Sequence, residues 1–98
     1  GDHAAEMETS IIMHLFPQLV LPLDEAGEGK TKSFRLEGLN NKTAWTPRNW
    51  GKISEDTGVG NPQKATAEKG ARFLDDVTSK IADFLIELSQ CELKNLYY

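Results

Sequence analysis

The chain has a single cysteine, Cys91, among its 98 residues. One cysteine cannot close an internal disulfide, so nothing in the composition argues for an oxidising compartment. Cys91 lies near the end of an apolar-patterned segment and is expected to be a small buried side chain. No apolar run approaches the roughly 20 residues that a membrane-crossing helix needs. An excess of positive charge is also missing: 11 Lys and Arg face 15 Asp and Glu, for a net charge of -4 at pH 7. No basic field therefore exists to hold nucleic acid or an anionic membrane surface. The opening residues, Gly-Asp-His-Ala-Ala-Glu, lack the basic and apolar regions of a signal peptide, and a cytoplasmic location is expected. They also lack an initiator methionine, and a helix pattern starts at once. The chain reads as cut from something longer.

What is present is an ordinary balance of 39% hydrophobic and 27% charged residues, arranged as two helical patterns around a long connection. Residues 5–16 predict a helix, with Met7, Ile11, Ile12 and Leu15 on one stripe and Pro17 just past its end. Glu6 and Glu8 sit in its first turn, where carboxylates suit the helix dipole, and Asp2 is a plausible cap. Residues 65–92 predict one long helix, with Leu74, Val77, Ile81, Phe84, Leu85 and Leu88 in register and Thr66 or Asn61-Pro62 as its start. Gly70 inside that helix costs about 1 kcal/mol against alanine, which points to a close packing contact there. Residues 18–64 read as loop and short strands, with SFRLEGL (33–39) alternating weakly and QLVLPL (18–23) extended. So much connection is unusual for a free-standing domain and would be explained by a larger body around which it wraps.

Chemistry-bearing residues concentrate at the start. Asp2, His3, Glu6 and Glu8 fall within seven positions, a set able to bind a divalent metal or move protons. Glu6 and Glu8 are separated by about 200° around a helix, so one faces any site while the other braces the fold. Spacing alone leaves a second reading open, that of an acidic helix start with a stray histidine.

Asp-His-Ala-Ala-Glu-Met-Glu-Thr-Ser (2–10) resembles, in slightly shortened form, the creatininase family signature Asp-x-His-Ala-Gly-Glu-x-Glu-Thr-Ser. GVGNPQKATAEKGARFLDD (58–76) is similar to the same family's closing motif, Gly-Val-x-Gly-Asp-Pro followed by Ala-Thr-Ala-Glu-Lys-Gly. The two motifs occur in the right order and separation. The resemblance implies an α/β fold, with the chain as the C-terminal part of an α/β/α sandwich. It also implies hydrolysis of non-peptide or cyclic amide C–N bonds at two divalent ions, zinc or manganese. His3 would be the proton shuttle to the leaving nitrogen. Glu6 would be the preferred metal ligand, with Glu8 a ligand or a brace behind the ligands. Ala5 stands where the family usually has glycine. The family's other ligands lie in an N-terminal half that these residues do not include, so the isolated chain is expected to be inactive. The partners implied are a small-molecule amide, that N-terminal half, and further copies in a homo-oligomer, commonly a hexamer.

Trp45 and Trp50, with Arg48 between them, are candidate substrate contacts on a loop, although ordinary burial is the simpler expectation for tryptophan. GEGKT (27–31) has only half of a phosphate-binding loop, since Asp24 stands where the first glycine belongs. A different class of function fits the long helix, whose amphipathic face suits a non-catalytic assembly module.

Overall fold

The computed structural model describes residues 2–98. Four α-helices follow one another: α1 (Glu6–Leu15), α2 (Glu37–Asn40), α3 (Trp50–Ile53) and α4 (Ala67–Gln90). Short 3-10 turns lie at Pro17–Leu19, Leu23–Glu25 and Leu93–Asn95. The two helices expected from periodicity are therefore present, each one or two residues shorter at its ends. None of the described helices is long and apolar enough to cross a membrane.

The expected short strands are not formed. Among the described residues, β pairing is limited to two isolated antiparallel bridges, His3 with Val59 and Thr31 with Ser54. The physical reason is that a strand needs a continuous neighbour for its N–H and C=O groups, and residues 18–39 meet one only at the Thr31–Ser54 bridge, where Lys32 N–H also donates to the Ile53 carbonyl at 2.9 Å. Those groups are satisfied locally instead. The Asn40 side chain takes the place of a strand partner for Phe34, accepting its N–H at 3.0 Å and donating to its carbonyl at 2.9 Å. Residues 37–39 of the expected strand fall in α2, and the 18–23 run is bracketed by 3-10 turns.

The packing centre is the crossing of α1 and α4. Ala5, Ser10, Val59, Pro62, Ala65 and Gly70 are the buried residues, and nearly all are small. Small side chains let the backbones approach closely. A Cβ on Gly70 would overlap the Ser10 carbonyl, which is the close contact its position in a helix implied. Ser10, 1% exposed, joins the two helices through its hydroxyl. Oγ donates to the Glu6 carbonyl at 2.5 Å and accepts the Thr66 N–H at 3.1 Å. Thr66 in turn caps α4, its Oγ1 accepting the Lys69 N–H at 3.2 Å. Of the candidate starts for the long helix, Thr66 is the one that caps it, while Asn61 Oδ1 accepts the Gln63 N–H at 2.9 Å in the turn before.

The connection is fastened to this crossing at a few points. Gln63 Nε2 donates to the Leu23 carbonyl at 2.7 Å, and Gly60 N–H to the Gly29 carbonyl at 2.8 Å. Gly29 has φ +66°, and a Cβ there would run into the Gly60 carbonyl, so glycine is required on both counts. Beyond these ties the molecule is open. Its radius of gyration is 18.6 Å, against about 13 Å for a compact chain of this length. The stripe of α4 emerges from the crossing, so Leu74 and Val77 are half-buried while Ile81, Phe84, Leu85 and Leu88 are exposed. Cys91, expected to be buried, is exposed for the same reason: it follows the end of α4, far from the crossing.

Candidate active-site half

The two sequence motifs, residues 2–10 and 58–70, are packing partners of each other. His3 and Val59 exchange backbone hydrogen bonds, His3 N–H to the Val59 carbonyl at 3.0 Å and Val59 N–H to the His3 carbonyl at 2.9 Å. The Ser10–Thr66 bond and the Ser10–Gly70 contact close the other end. The closing motif is thus the platform that holds the opening one.

The entry to α1 is shaped without the expected aspartate cap. The N-cap is Ala5, and no side chain bonds there. Glu8, three residues into the helix, reaches back instead and accepts the Ala4 N–H on Oε2 at 2.5 Å, one half of a capping box moved by one residue. Thr9 Oγ1 donates to the Ala4 carbonyl at 3.1 Å. Ala4 is held at φ +52° by these two bonds, a left-handed conformation that alanine adopts rarely. Asp2 is free to pair elsewhere, and Arg48 Nη1 lies 2.5 Å from its Oδ2.

Glu6 and Glu8 point to different sides, as their angular separation requires. Glu8 Oε2 lies 3.8 Å from His3 Nδ1, an ion-pair distance longer than a hydrogen bond. Glu6 faces α4, where its Oε1 is 2.6 Å from Lys69 Nζ, which also donates to the Lys64 carbonyl at 2.6 Å. The carboxylate that the structure brings to His3 is therefore Glu8, and Glu6 is occupied with the helix crossing. Trp50 completes the histidine's surroundings. Its ring meets the imidazole edge-on, centroids 5.7 Å apart at 87°. The Trp50 Nε1–H donates to the Thr57 carbonyl at 2.8 Å, and the Arg48 guanidinium carbon stands 4.7 Å from the centre of the indole. Trp45 takes no part in this stack and is 83% exposed, so of the two tryptophans only Trp50 is even half-buried. A recess of about 70 Å³ is lined by Asp2, His3, Ala5, Met7 and Glu8.

The salt links hold two carboxyls below their ordinary range. The Arg48 hydrogen bond does this for Asp2, and the Lys69 hydrogen bond followed by its charge does so for Glu6. A lowered folded-state value means that the Glu6–Lys69 link contributes fully above the ordinary glutamate value of 4.5 and is lost as pH falls through the folded value. Lys69→Met is therefore expected to flatten the acid limb of the stability–pH curve, measured by urea unfolding between pH 3 and 7. A slope equal to that of the unsubstituted protein would contradict the assignment.

A metal centre tests the donor set further. Among the described residues, no three His, Cys, Asp or Glu side chains converge as a metal site. His3 and Glu8 are two donors, enough for one side of a dinuclear centre but not for the centre. Of the residues singled out in the sequence, His3, Glu6, Glu8, Trp45 and Trp50, the structure brings His3, Glu8 and Trp50 together and leaves Glu6 and Trp45 outside that cluster; Arg48 was noted only as the residue between two tryptophans. Sequence reasoning missed the Lys69 partner of Glu6, because a contact across 63 residues has no local signature.

Residues 1–85 match the creatininase (creatinine amidohydrolase) family. The comparison with curated proteins returned no match. Among solved structures, a protein of Bacteroides fragilis NCTC 9343 named a "putative creatinine amidohydrolase" shares 51% identity over 94% of this chain, with a TM-score of 0.88. The chain spans 36% of the length of that protein. The superposition places these helices in the creatininase fold, and the described residues themselves form no sheet. With a match over most of its length, and with both signature segments packed on each other around His3, the chain belongs to the creatininase family.

Proposed function

We propose that this chain is the C-terminal part of a metal-dependent amidohydrolase that cleaves non-peptide or cyclic amide C–N bonds in a small-molecule substrate. The observation that carries the reading is the His3–Glu8–Trp50 cluster, built at the junction of the two family segments. Backbone bonds to Val59 fix where the His3 side chain starts. Glu8 Oε2 stands on the Nδ1 side at 3.8 Å, and Nε2 is the nitrogen assigned to pass a proton to a departing amine. Lewis acidity at the scissile carbonyl comes from two zinc or manganese ions when they are bound. Glu8 is the carboxylate this chain contributes toward them, and Glu6 braces α1 on α4. The remaining donors belong to the N-terminal half of the parent protein, so the isolated chain is inactive. Of the two tryptophans, Trp45 is the exposed one, available to substrate or to a neighbouring copy in a hexamer.

Glu8→Gln in the parent protein is expected to lower metal affinity by at least about tenfold, while Glu6→Gln leaves metal content near normal. Elemental analysis after dialysis reads both. The reverse pattern would return the ligand role to Glu6.

A second reading rests on the exposed α4 stripe, Ile81, Phe84, Leu85 and Leu88, an apolar face suited to assembly without catalysis. Sequence upstream of residue 1 discriminates the two. The further ligands that the family resemblance implies, a Glu-x-His segment and a glycine-rich histidine loop, would support the enzyme if they lie upstream, and an open reading frame that starts near residue 1 supports the assembly module.

A further inference from the structure

We infer that Trp50 is a positioning residue for His3, locked in place by Arg48, and not a substrate contact. The inference rests on the proton-transfer role given to His3 above. The backbone of His3 is bonded in both directions to Val59, so the only freedom left to its imidazole is side-chain torsion. That torsion is bounded by Glu8 Oε2 at 3.8 Å from Nδ1 and by the indole meeting the ring at 87°.

Trp50 is itself immobilised from two directions. Its Nε1–H is committed to the Thr57 carbonyl, so the polar edge of the indole is not available to a ligand. Thr57 is held at φ +74°, a left-handed conformation that a β-branched residue adopts rarely. One face of the indole carries the Arg48 guanidinium at 4.7 Å. Arg48 is anchored by Asp2, the residue next to His3 in the chain. The set therefore closes on itself: Asp2, Arg48, Trp50, His3 and back along the backbone. A planar guanidinium can stack and pair at once, which an ammonium does poorly. With one face and the N–H of Trp50 used by the protein and its ring against His3, its contacts are those of a residue that holds the imidazole.

The test uses the parent protein with its metals, on a cyclic amide substrate such as creatinine, or a formamide if creatinine is not turned over. Trp50→Ala is expected to lower kcat about 10- to 100-fold, the scale of a misplaced catalytic group, with KM changed less than about threefold. Trp50→Phe, which keeps an aromatic wall, restores most of the loss. Arg48→Met gives a smaller loss than Trp50→Ala, and Arg48→Lys recovers only part of it. Each change is repeated in a His3→Ala background, where a residue that acts through His3 has nothing left to position and its effect disappears. Full effects persisting on His3→Ala mean a general structural role and overturn the inference. So does a rise in KM with kcat intact, which assigns Trp50 to substrate. If His3→Ala is inactive while the Trp50 and Arg48 variants are normal, the inference alone falls. If His3→Ala is fully active, the proton-transfer reading fails and the inference fails with it. Metal content and circular dichroism are recorded for each variant. Should Trp50→Ala not fold, Trp50→Phe and Arg48→Met carry the comparison.

Discussion

His3→Ala in the parent protein is expected to lower kcat by about 10²- to 10⁴-fold, the range for removing a positioned general acid or base, while metal content stays near normal. The expectation follows from where the side chain sits. Glu8 reaches back to the Ala4 N–H and stands 3.8 Å from Nδ1, and the Trp50 ring meets the imidazole edge-on. Removing the imidazole leaves the Glu8–Ala4 bond, the His3–Val59 backbone pair and the α1–α4 crossing intact. The loss should therefore appear in turnover and not in folding or metal binding. A glutamine at position 3, which cannot exchange a proton at neutral pH, should be nearly as poor as alanine. Metal analysis and steady-state kinetics on one preparation decide it. Loss of metal together with activity would make His3 a ligand, and a small effect on both would reduce residues 2–10 to a helix start.

Gly70→Ala is expected to destabilise the parent protein by about 1–3 kcal/mol, the usual cost of over-packing. Two effects oppose each other. Alanine improves a helix interior by about 1 kcal/mol over glycine. Against that, the new methyl would meet the Ser10 carbonyl and lie 2.8 Å from the Ile11 nitrogen. These are backbone atoms, which cannot swing aside as a side-chain tip would, so α1 and α4 must separate. Separation stretches the Ser10–Thr66 hydrogen bond and the Glu6–Lys69 pair as well. The clash wins, and the thermal midpoint should fall by several degrees. A midpoint equal to or above that of the unsubstituted protein would show that the helices are not in contact at this point.

The two helices were legible because their hydrogen bonds are local and their apolar stripes recur at helical spacing. Gly70 was legible as a close contact because glycine is costly inside a helix without one. The strand expected at 33–39 was not formed, since alternation describes a face but cannot supply the neighbouring strand. Asn40 does that duty with one side chain. In the candidate site, spacing separated Glu6 from Glu8 but could not say which faced His3. That was decided by Lys69, 63 residues away, which draws Glu6 toward α4. The Arg48–Trp50–His3 stack is non-local for the same reason. Resemblance to family motifs supplied what spacing could not, because the paired motifs mark segments that touch.

The central claim is that residues 2–10, held on residues 58–70, are one half of a hydrolase centre. The most direct test measures metal content and cyclic-amide hydrolysis side by side for the parent protein and for the 98-residue chain. The account predicts stoichiometric divalent metal and turnover in the parent, and neither in the chain alone. Tight stoichiometric metal with turnover in the 98-residue chain, or a parent protein with neither, would contradict it.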